Sequence, residues 1–182
     1  MGIAVVTDKV TVSGATAISM SHSYQFAYER YLRPRRCEKL DVLEIGLGCG
    51  MPYKDESGKE VPSYMQAGHS VPLWLAFLPR AKLNMFEYSE KCARDFFDND
   101  PLKIGEPLHT RVKMFLGDQS KDADLLKAMA TMGPQDIIID DGGHSMMQQE
   151  VSLRVLFKFL KPGGICASTQ RQNFRRARNA TT

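Results

Sequence analysis

Apolar segments of strand length recur along the chain and alternate with segments of helical periodicity. Strands that are apolar almost throughout are typical of parallel sheets covered by helices on both faces. The alternation predicts βαβ units, and therefore an α/β fold built on a doubly wound, mostly parallel sheet. Five such strands are predicted, over residues 41–48, 82–88, 111–118, 136–143 and 163–168.

Capping residues and glycines mark the helices between these strands. Ser89, Ser120 and Ser145 precede segments in which apolar residues recur at helical spacing, and serine is a favoured N-cap. The last of these helices is predicted to run to the stop at Pro162. Residues 53–68 are polar and punctuated by glycine and proline, so we predict an inserted loop there. The predicted helices cover residues 22–32, 71–79, 89–100, 120–133 and 145–162.

Length and composition fit one domain with a buried core. The chain has 182 residues, 43% of them hydrophobic, and a net charge of +3 from 24 basic and 21 acidic side chains. So small an excess gives no reason to expect nucleic-acid binding. No apolar run approaches the roughly 20 residues that span a bilayer, and the first residues do not resemble a signal peptide. We therefore expect a cytoplasmic protein that does not bind membranes.

The cysteines give no sign of a metal or redox motif. Cys37, Cys49, Cys92 and Cys166 are far apart in the sequence, and no pair has the close spacing of a zinc site or a redox dithiol. We expect reduced, mostly buried thiols, as in a reducing compartment.

The first predicted strand runs into the glycine-rich segment LEIGLGCG, which spans residues 43–50. Gly46, Gly48 and Gly50 allow positive φ and a close approach of the backbone to a ligand. The dinucleotide fingerprint G-x-G-x-x-G is not matched, because Met51 stands at its last glycine. The segment therefore predicts either a cofactor-binding turn, with Glu44 just before it, or a tight turn without a ligand.

Acidic residues follow the second and third predicted strands. Glu87 could accept hydrogen bonds from both hydroxyls of a ribose, or it could be a solvated carboxylate. Asp118, with Gln119 beside it, could contact a ligand at the end of its strand or could cap the next helix. The carboxyl ends of parallel strands meet at one edge of the sheet, where ligands bind in open α/β folds. This convergence favours a nucleoside-binding site.

The fourth predicted strand ends in the segment IIIDDGGHS. Asp140 and Asp141 would repel each other unless a cation or hydrogen-bond donors offset their charges, and Mg²⁺ prefers such hard oxygen ligands. A histidine titrates near neutrality, so His144 could take a proton from a substrate hydroxyl. Alternatively, His144 caps the following helix or packs in the cleft.

Together these motifs resemble class I S-adenosylmethionine-dependent methyltransferases, which have a Rossmann-like fold. The closest group is the macrocin and mycinamicin type of sugar O-methyltransferases with their fungal relatives, on segments such as TDKVT, HSYQFAYERYL, VLEIGLGCG, GDQSK and IIIDDGGHSMMQQEV. The resemblance implies S-adenosylmethionine and Mg²⁺ as cofactors and a small-molecule hydroxyl as acceptor. It implies Asp141 as a metal ligand and His144 as the general base. The implied cofactor-binding residues are Thr7, Glu44, Gly46, Gly48, Gly50, Glu87, Asp118, Gln119 and Asp140.

The resemblance also suggests how the chain is divided. Residues 1–40 would form an N-terminal segment and helix that cover the cofactor, residues 41–168 the Rossmann-like core, and residues 169–182 a basic, frayed tail. The family's acidic pair after the fifth strand is missing, since no carboxylate follows Glu150. We also expect the last two of the usual seven strands to be absent from the sheet.

These departures leave two further hypotheses open. The first is a catalytically impaired S-adenosylmethionine-binding or interaction module derived from a methyltransferase. The second is a nicotinamide-dependent oxidoreductase, which conflicts with Met51 and with the DDGGH segment. The sequence leaves the acceptor and the oligomeric state open.

Overall fold

A computed structural model describes residues 25–50, 53–62, 64 and 67–168. The helices are α1 Gln25–Tyr31, α2 Ser70–Phe77, α3 Glu90–Asn99, α4 Glu106–Arg111, α5 Asp122–Met132 and α6 Met146–Leu156. The strands are β1 Asp41–Ile45, β2 Tyr53–Lys54, β3 Glu60–Val61, β4 Lys82–Glu87, β5 Val112–Leu116, β6 Gln135–Asp140 and β7 Leu160–Ser168.

The main sheet of the described residues has five strands in the order β5–β4–β1–β6–β7. All of its neighbouring strands are parallel. From the central strand β1, the chain proceeds to β4 and β5 on one side of the sheet and then returns to β6 and β7 on the other. This reversal makes the carboxyl end of β1 the switch point of the sheet, where such folds bind ligands. The predicted doubly wound, Rossmann-like sheet of five parallel strands is confirmed.

Alternation along the strands produces a hydrophobic core on each face of the sheet. In β1, Val42 belongs to the core that contains residues of α2, α3 and α4, while Leu43 and Ile45 belong to the core that contains residues of α5 and α6. Trp74 of α2 and Phe96 of α3 are the largest side chains in the first core. Each large apolar side chain buried in this way stabilises the fold by about 1.5–3 kcal/mol.

Three local features differ from the sequence prediction. The predicted loop at 53–68 contains the antiparallel hairpin β2–β3, and residues 106–111 form α4, for which no helix was predicted. Helix α6 ends at Leu156, and β7 already begins at Leu160. An edge strand tolerates Pro162 within it, and Gly163 adopts a φ of +75° near the register shift against β6. The segment predicted as a helix stop is therefore part of a strand.

A polar network joins the amino-terminal ends of three strands, opposite the switch point. Lys161 Nζ donates to Asp41 Oδ2 and to Asp136 Oδ2, both at 2.8 Å. Asp136 also accepts from the Asp41 N–H at 2.9 Å and from Arg35 at 3.3 Å. These contacts connect β1, β6 and β7 to the segment after α1.

The prediction of reduced, mostly buried cysteines is wrong for three of them. Cys49 and Cys92 form a disulfide, and Cys37 is exposed. Parallel strands place the loop after β1 beside the helix after β4, so residues 43 positions apart in the sequence meet. Helix α3 begins as predicted, because the Ser89 side chain accepts the Cys92 N–H.

None of the helices formed by the described residues has the length and hydrophobicity needed to span a bilayer.

Candidate functional site

A cavity of about 580 Å³ lies at the carboxyl ends of β1, β4, β5 and β6. The loops after these four strands form its walls, as expected for the switch point of a doubly wound sheet. The cavity brings together six of the predicted site residues: Gly46, Gly48, Glu87, Asp118, Gln119 and Asp141.

The glycine-rich loop after β1 forms one wall. Gly46 and Gly48 have φ values of +92° and +77°, which side chains rarely adopt. A Cβ on Gly46 would lie 2.5 Å from the Asp141 carbonyl oxygen, so this loop packs directly on the loop after β6. Gly50 is not among the described residues that line the cavity.

Glu87 is the acidic residue at the end of β4, and it is buried rather than solvated. Its side chain is only 7% exposed. Oε2 accepts the Leu47 N–H and Oε1 accepts the Ser89 N–H, both at 2.8 Å. A carboxylate offers about four lone-pair positions, so each oxygen retains acceptor capacity toward the cavity. The alternative of a solvated carboxylate is therefore wrong.

Asp118 shapes the loop after β5. Its Oδ1 accepts from the Ser120 hydroxyl at 2.6 Å and the Ser120 N–H at 2.9 Å. These hydrogen bonds hold the pKa of the Asp118 carboxyl below its ordinary value. The N-cap position of α5 is Lys121, so neither Asp118 nor the predicted Ser120 is its cap. Asp118 stays ionised at neutral pH and lines the cavity.

Gln119 connects three elements beneath the cavity. Its Nε2 donates to Asp140 Oδ1 and to the Ser152 hydroxyl, both at 2.8 Å. Its Oε1 accepts the Gly143 N–H at 2.7 Å. These contacts satisfy both ends of a side chain that is 5% exposed. Gln119 therefore positions the loop after β6.

The two adjacent aspartates have different environments. Asp140 is buried and does not line the first cavity; it lines a second, largely apolar one beside α6 and β7. Burial raises the pKa of Asp140, and hydrogen bonds from the Gly142 N–H and Gln119 offset only part of this effect. Asp141 lines the first cavity. Asp140, predicted to bind the cofactor, therefore lies outside the first cavity, where the Gln119 side chain and the Gly142 N–H donate to its carboxylate.

Glu44 also lies elsewhere than predicted. It is fully buried, and its Oε2 accepts from the Ser70 hydroxyl at 2.6 Å and from Trp74 Nε1 at 2.9 Å. Successive strand residues face opposite sides of a sheet, and Glu44 faces α2 while Ile45 lines the cavity. Glu44, predicted to bind the cofactor, therefore lies outside the cavity and links β1 to α2.

His144 is exposed and lies between Gly143 and Ser145, which both line the cavity. The cap of α6 is Ser145: its side chain accepts the Gln148 N–H, and the Gln148 side chain accepts the Ser145 N–H. The alternative in which His144 caps α6 is therefore wrong. Thr7 lies outside the described residues.

Known proteins with similar sequences are sugar O-methyltransferases. Mycinamicin VI 2''-O-methyltransferase of Micromonospora griseorubida is 30% identical over 145 residues, covering 79% of this chain and 30% of that protein. Demethylmacrocin O-methyltransferase of Streptomyces fradiae is 28% identical over 144 residues, again covering 79% and 30%. The chain is similar in sequence to these enzymes. It spans about a third of their length, and no family model matches it.

Solved structures agree with this relationship. The MycE methyltransferase of the mycinamycin pathway, in complex with Mg and SAH, superposes with a TM-score of 0.59 at 26% identity. That match covers 81% of this chain and 35% of the MycE chain. A putative caffeoyl-CoA O-methyltransferase from Staphylococcus aureus, at 13% identity and a TM-score of 0.53, shares the fold alone, over 87% of this chain and 69% of that one.

The residues that line the cavity without having been predicted as site residues include Tyr88, Met147 and Cys49. Tyr88 and Met147 are exposed at the rim, and Cys49 lies in the glycine-rich wall. The position of Tyr88 next to Glu87 was a usable signal, because strand-end residues adjoin the switch point. Met147 lines the cavity because of the way α6 packs, and the local sequence does not indicate that packing.

Proposed function

We propose that this chain is part of an S-adenosylmethionine-dependent methyltransferase that acts on a hydroxyl of a sugar or another small molecule. One observation carries the proposal: Glu87 and Asp118, from neighbouring strands, face one cavity with a glycine-rich loop. The cavity volume of about 580 Å³ is within the usual range for small-molecule sites. The sequence relatives are O-methyltransferases, and the MycE structure contains SAH.

Each wall of the cavity suits a different part of the cofactor. Glu87 would accept hydrogen bonds from the ribose hydroxyls with the lone pairs that Leu47 and Ser89 leave open. Asp118 would accept from the adenine amino group. Gly46 and Gly48 would let the backbone approach the amino acid portion. We further propose that Thr7 belongs to an N-terminal segment that covers the bound cofactor, whereas the segment after α1 contacts Asp136 at the opposite edge of the sheet.

The chemistry requires orientation and a proton acceptor. The acceptor hydroxyl would attack the methyl carbon in line with the carbon–sulfur bond, and holding the reactants in this geometry would supply most of the rate. His144, at the rim between two cavity residues, would take the hydroxyl proton. Its exposure leaves room for an acceptor that enters from solvent.

The described residues alone do not complete a magnesium site. No group of three histidine, cysteine, aspartate or glutamate side chains in that part of the chain could hold a metal. Asp141 is the cavity-lining aspartate after β6, whereas Asp140 is engaged by Gln119. We propose that Asp141 would hold a magnesium ion whose remaining ligands come from water or substrate, a common arrangement for this metal. The proposed roles of Glu87, Asp118 and His144 do not require this ion.

Methyl transfer tests the proposed reaction. Labelled S-adenosylmethionine is incubated with a panel of glycosylated macrolides, and the product is detected by mass spectrometry. We expect one methyl group to be transferred to a sugar oxygen, and we expect His144→Ala to bind S-adenosylhomocysteine normally while transfer falls by about 10²–10⁴-fold. His109→Ala, at an exposed position on α4, is the control. Full activity of His144→Ala would contradict the assignment of the base, and binding without transfer in the unaltered protein would favour the binding-module hypothesis.

A further inference from the structure

The disulfide between Cys49 and Cys92 joins two walls of the cavity. Cys49 follows Gly48 in the glycine-rich loop and lines the cavity. Cys92 is the third residue of α3 and is 1% exposed. The bond therefore fastens the wall formed by the loop after β1 to the helix that follows β4.

Other contacts hold only the first part of this loop. The Gly46 N–H donates to the Phe86 carbonyl, and the Leu47 N–H donates to Glu87 Oε2. The Leu47 carbonyl in turn accepts the Gly68 N–H. Within the described part of the chain, no hydrogen bond is observed for residues 48–50. Among the described residues, it is therefore the disulfide that holds the part of the loop after Leu47 in place.

The α3 end of the disulfide is connected to Glu87. The Ser89 side chain accepts the Cys92 N–H at 3.3 Å, and the Ser89 N–H donates to Glu87 Oε1 at 2.8 Å. Glu87 also binds Leu47 in the loop. The loop, Glu87 and the start of α3 therefore form one closed ring of contacts around a wall of the cavity, and the disulfide closes that ring.

We propose that Cys49 and Cys92 form a thiol–disulfide switch that controls the affinity of the cavity for its nucleoside cofactor. The proposal rests on the cofactor site proposed above. In the oxidised form the loop is preorganised for the ligand, and a preorganised site binds more tightly because less conformational entropy is lost on binding. In the reduced form residues 48–50 gain freedom, and affinity falls.

The two cysteines would be oxidised and reduced by thiol–disulfide exchange with a small disulfide such as oxidised glutathione. Oxidation joins the two sulfurs, and two electrons and two protons reduce the small disulfide to two thiols. In the reverse direction an external thiolate attacks Cys49, the partner that lines the cavity, and Cys92 leaves as the thiolate. The first turn of α3 stabilises that negative charge. A second thiolate then releases the small molecule from Cys49.

Calorimetric titration with S-adenosylhomocysteine tests the switch. We expect the dissociation constant to rise about tenfold when the oxidised protein is reduced with dithiothreitol. The double variant Cys49→Ser, Cys92→Ser should bind as weakly as the reduced protein and should not respond to dithiothreitol. Cys37→Ser, which removes an exposed free cysteine, should respond like the unaltered protein. Equal affinities of the oxidised and reduced forms would overturn the proposal.

Hydrogen exchange of Gly46 and Leu47, whose amides are hydrogen-bonded, provides a readout that does not require a cofactor. The oxidised protein should exchange these two amides more slowly than the reduced protein, by a larger factor than the amides of β6, which report the change in global stability. If the oxidised protein exchanged more slowly but neither form bound S-adenosylhomocysteine, the cofactor site would be rejected and the redox-controlled loop retained. Equal exchange in the two forms, or no disulfide by mass spectrometry of protein treated with oxidised glutathione, would reject the switch itself.

Discussion

The side chain of Glu87 accepts the backbone N–H of Leu47 at 2.8 Å, across 40 positions of sequence. Leu47 lies between the two glycines with positive φ, Gly46 and Gly48. The carboxylate at the end of β4 therefore holds the glycine-rich loop in shape while it faces the cavity. One residue thus links the geometry of the loop to the polarity of the site.

Replacing Glu87 with glutamine should weaken cofactor binding sharply. The amide has only one oxygen, so it cannot accept from both Leu47 and Ser89, and a hydrogen bond to a charged acceptor contributes about 1.5–3 kcal/mol. We expect the affinity for S-adenosylhomocysteine, measured by calorimetry, to fall at least about tenfold. Glu60→Gln on the hairpin β2–β3 is the matched control and should bind normally. Unchanged affinity of Glu87→Gln would argue against a ligand in this cavity.

Gly46→Ala should destabilise the fold more than the same change at Gly58. Both glycines have positive φ, at +92° and +80°, so both variants carry the backbone strain of about 1–2 kcal/mol. Only Gly46 has a neighbour, the Asp141 carbonyl oxygen at 2.5 Å from an added Cβ, whereas nothing lies within 4 Å at Gly58. Urea unfolding of the two variants measures the difference. Equal losses would mean that the loops after β1 and β6 are not packed as described.

Reduction of the Cys49–Cys92 disulfide should lower the free energy of unfolding. A cross-link between residues 43 positions apart restricts the unfolded chain and stabilises the fold by about 4 kcal/mol in the chain-entropy description. Urea unfolding with and without dithiothreitol measures this loss. The double variant Cys49→Ser, Cys92→Ser should match the reduced protein. A reductant effect that persists in that variant would point to another cause.

The network around Lys161 should make stability depend on acid pH. Burial raises the pKa of Asp136, but hydrogen bonds from Asp41 and Lys161 outweigh this effect and hold it below its ordinary value. Because the folded pKa is the lower one, the stabilisation is present above the unfolded value of about 3.9 and is lost as the pH falls through the folded pKa. We expect Lys161→Met to reduce stability at pH 7 by about 1 kcal/mol and to flatten the loss between pH 5 and pH 2. Lys113→Met on β5 is the control. If the stability of Lys161→Met varied with acid pH in the same way as that of the unaltered protein, this role of Lys161 would be contradicted.

The strands and the strand-end residues Glu87 and Asp118 were predictable because they depend on local pattern. Apolar runs, glycines and acidic residues are adjacent in the sequence, and the rule that ligands bind at the carboxyl edge of parallel strands brings them together. Ser89 and Ser145 were likewise predictable, because a helix cap is a local feature. The cap of α5 was missed, since Ser120 binds Asp118 instead.

Other features depend on which way a side chain faces or on contacts between distant elements. Glu44 and Asp140 adjoin ligand-binding motifs in the sequence, yet one faces α2 and the other binds Gln119. Sequence proximity to a motif cannot distinguish these orientations from a side chain in the cavity. The disulfide was missed for a related reason, because Cys49 and Cys92 meet only after β1 and β4 pair.

Calorimetric titration of the oxidised chain with S-adenosylhomocysteine, with NAD as the control ligand, tests the central claim most directly. The account predicts saturable one-to-one binding of S-adenosylhomocysteine, binding that is at least about tenfold weaker in Glu87→Gln, and no binding of NAD. At about 100 times the dissociation constant, the ligand should also stabilise the fold by about 2.7 kcal/mol. Binding of NAD in preference to S-adenosylhomocysteine, or binding of neither, would contradict the proposed cofactor site.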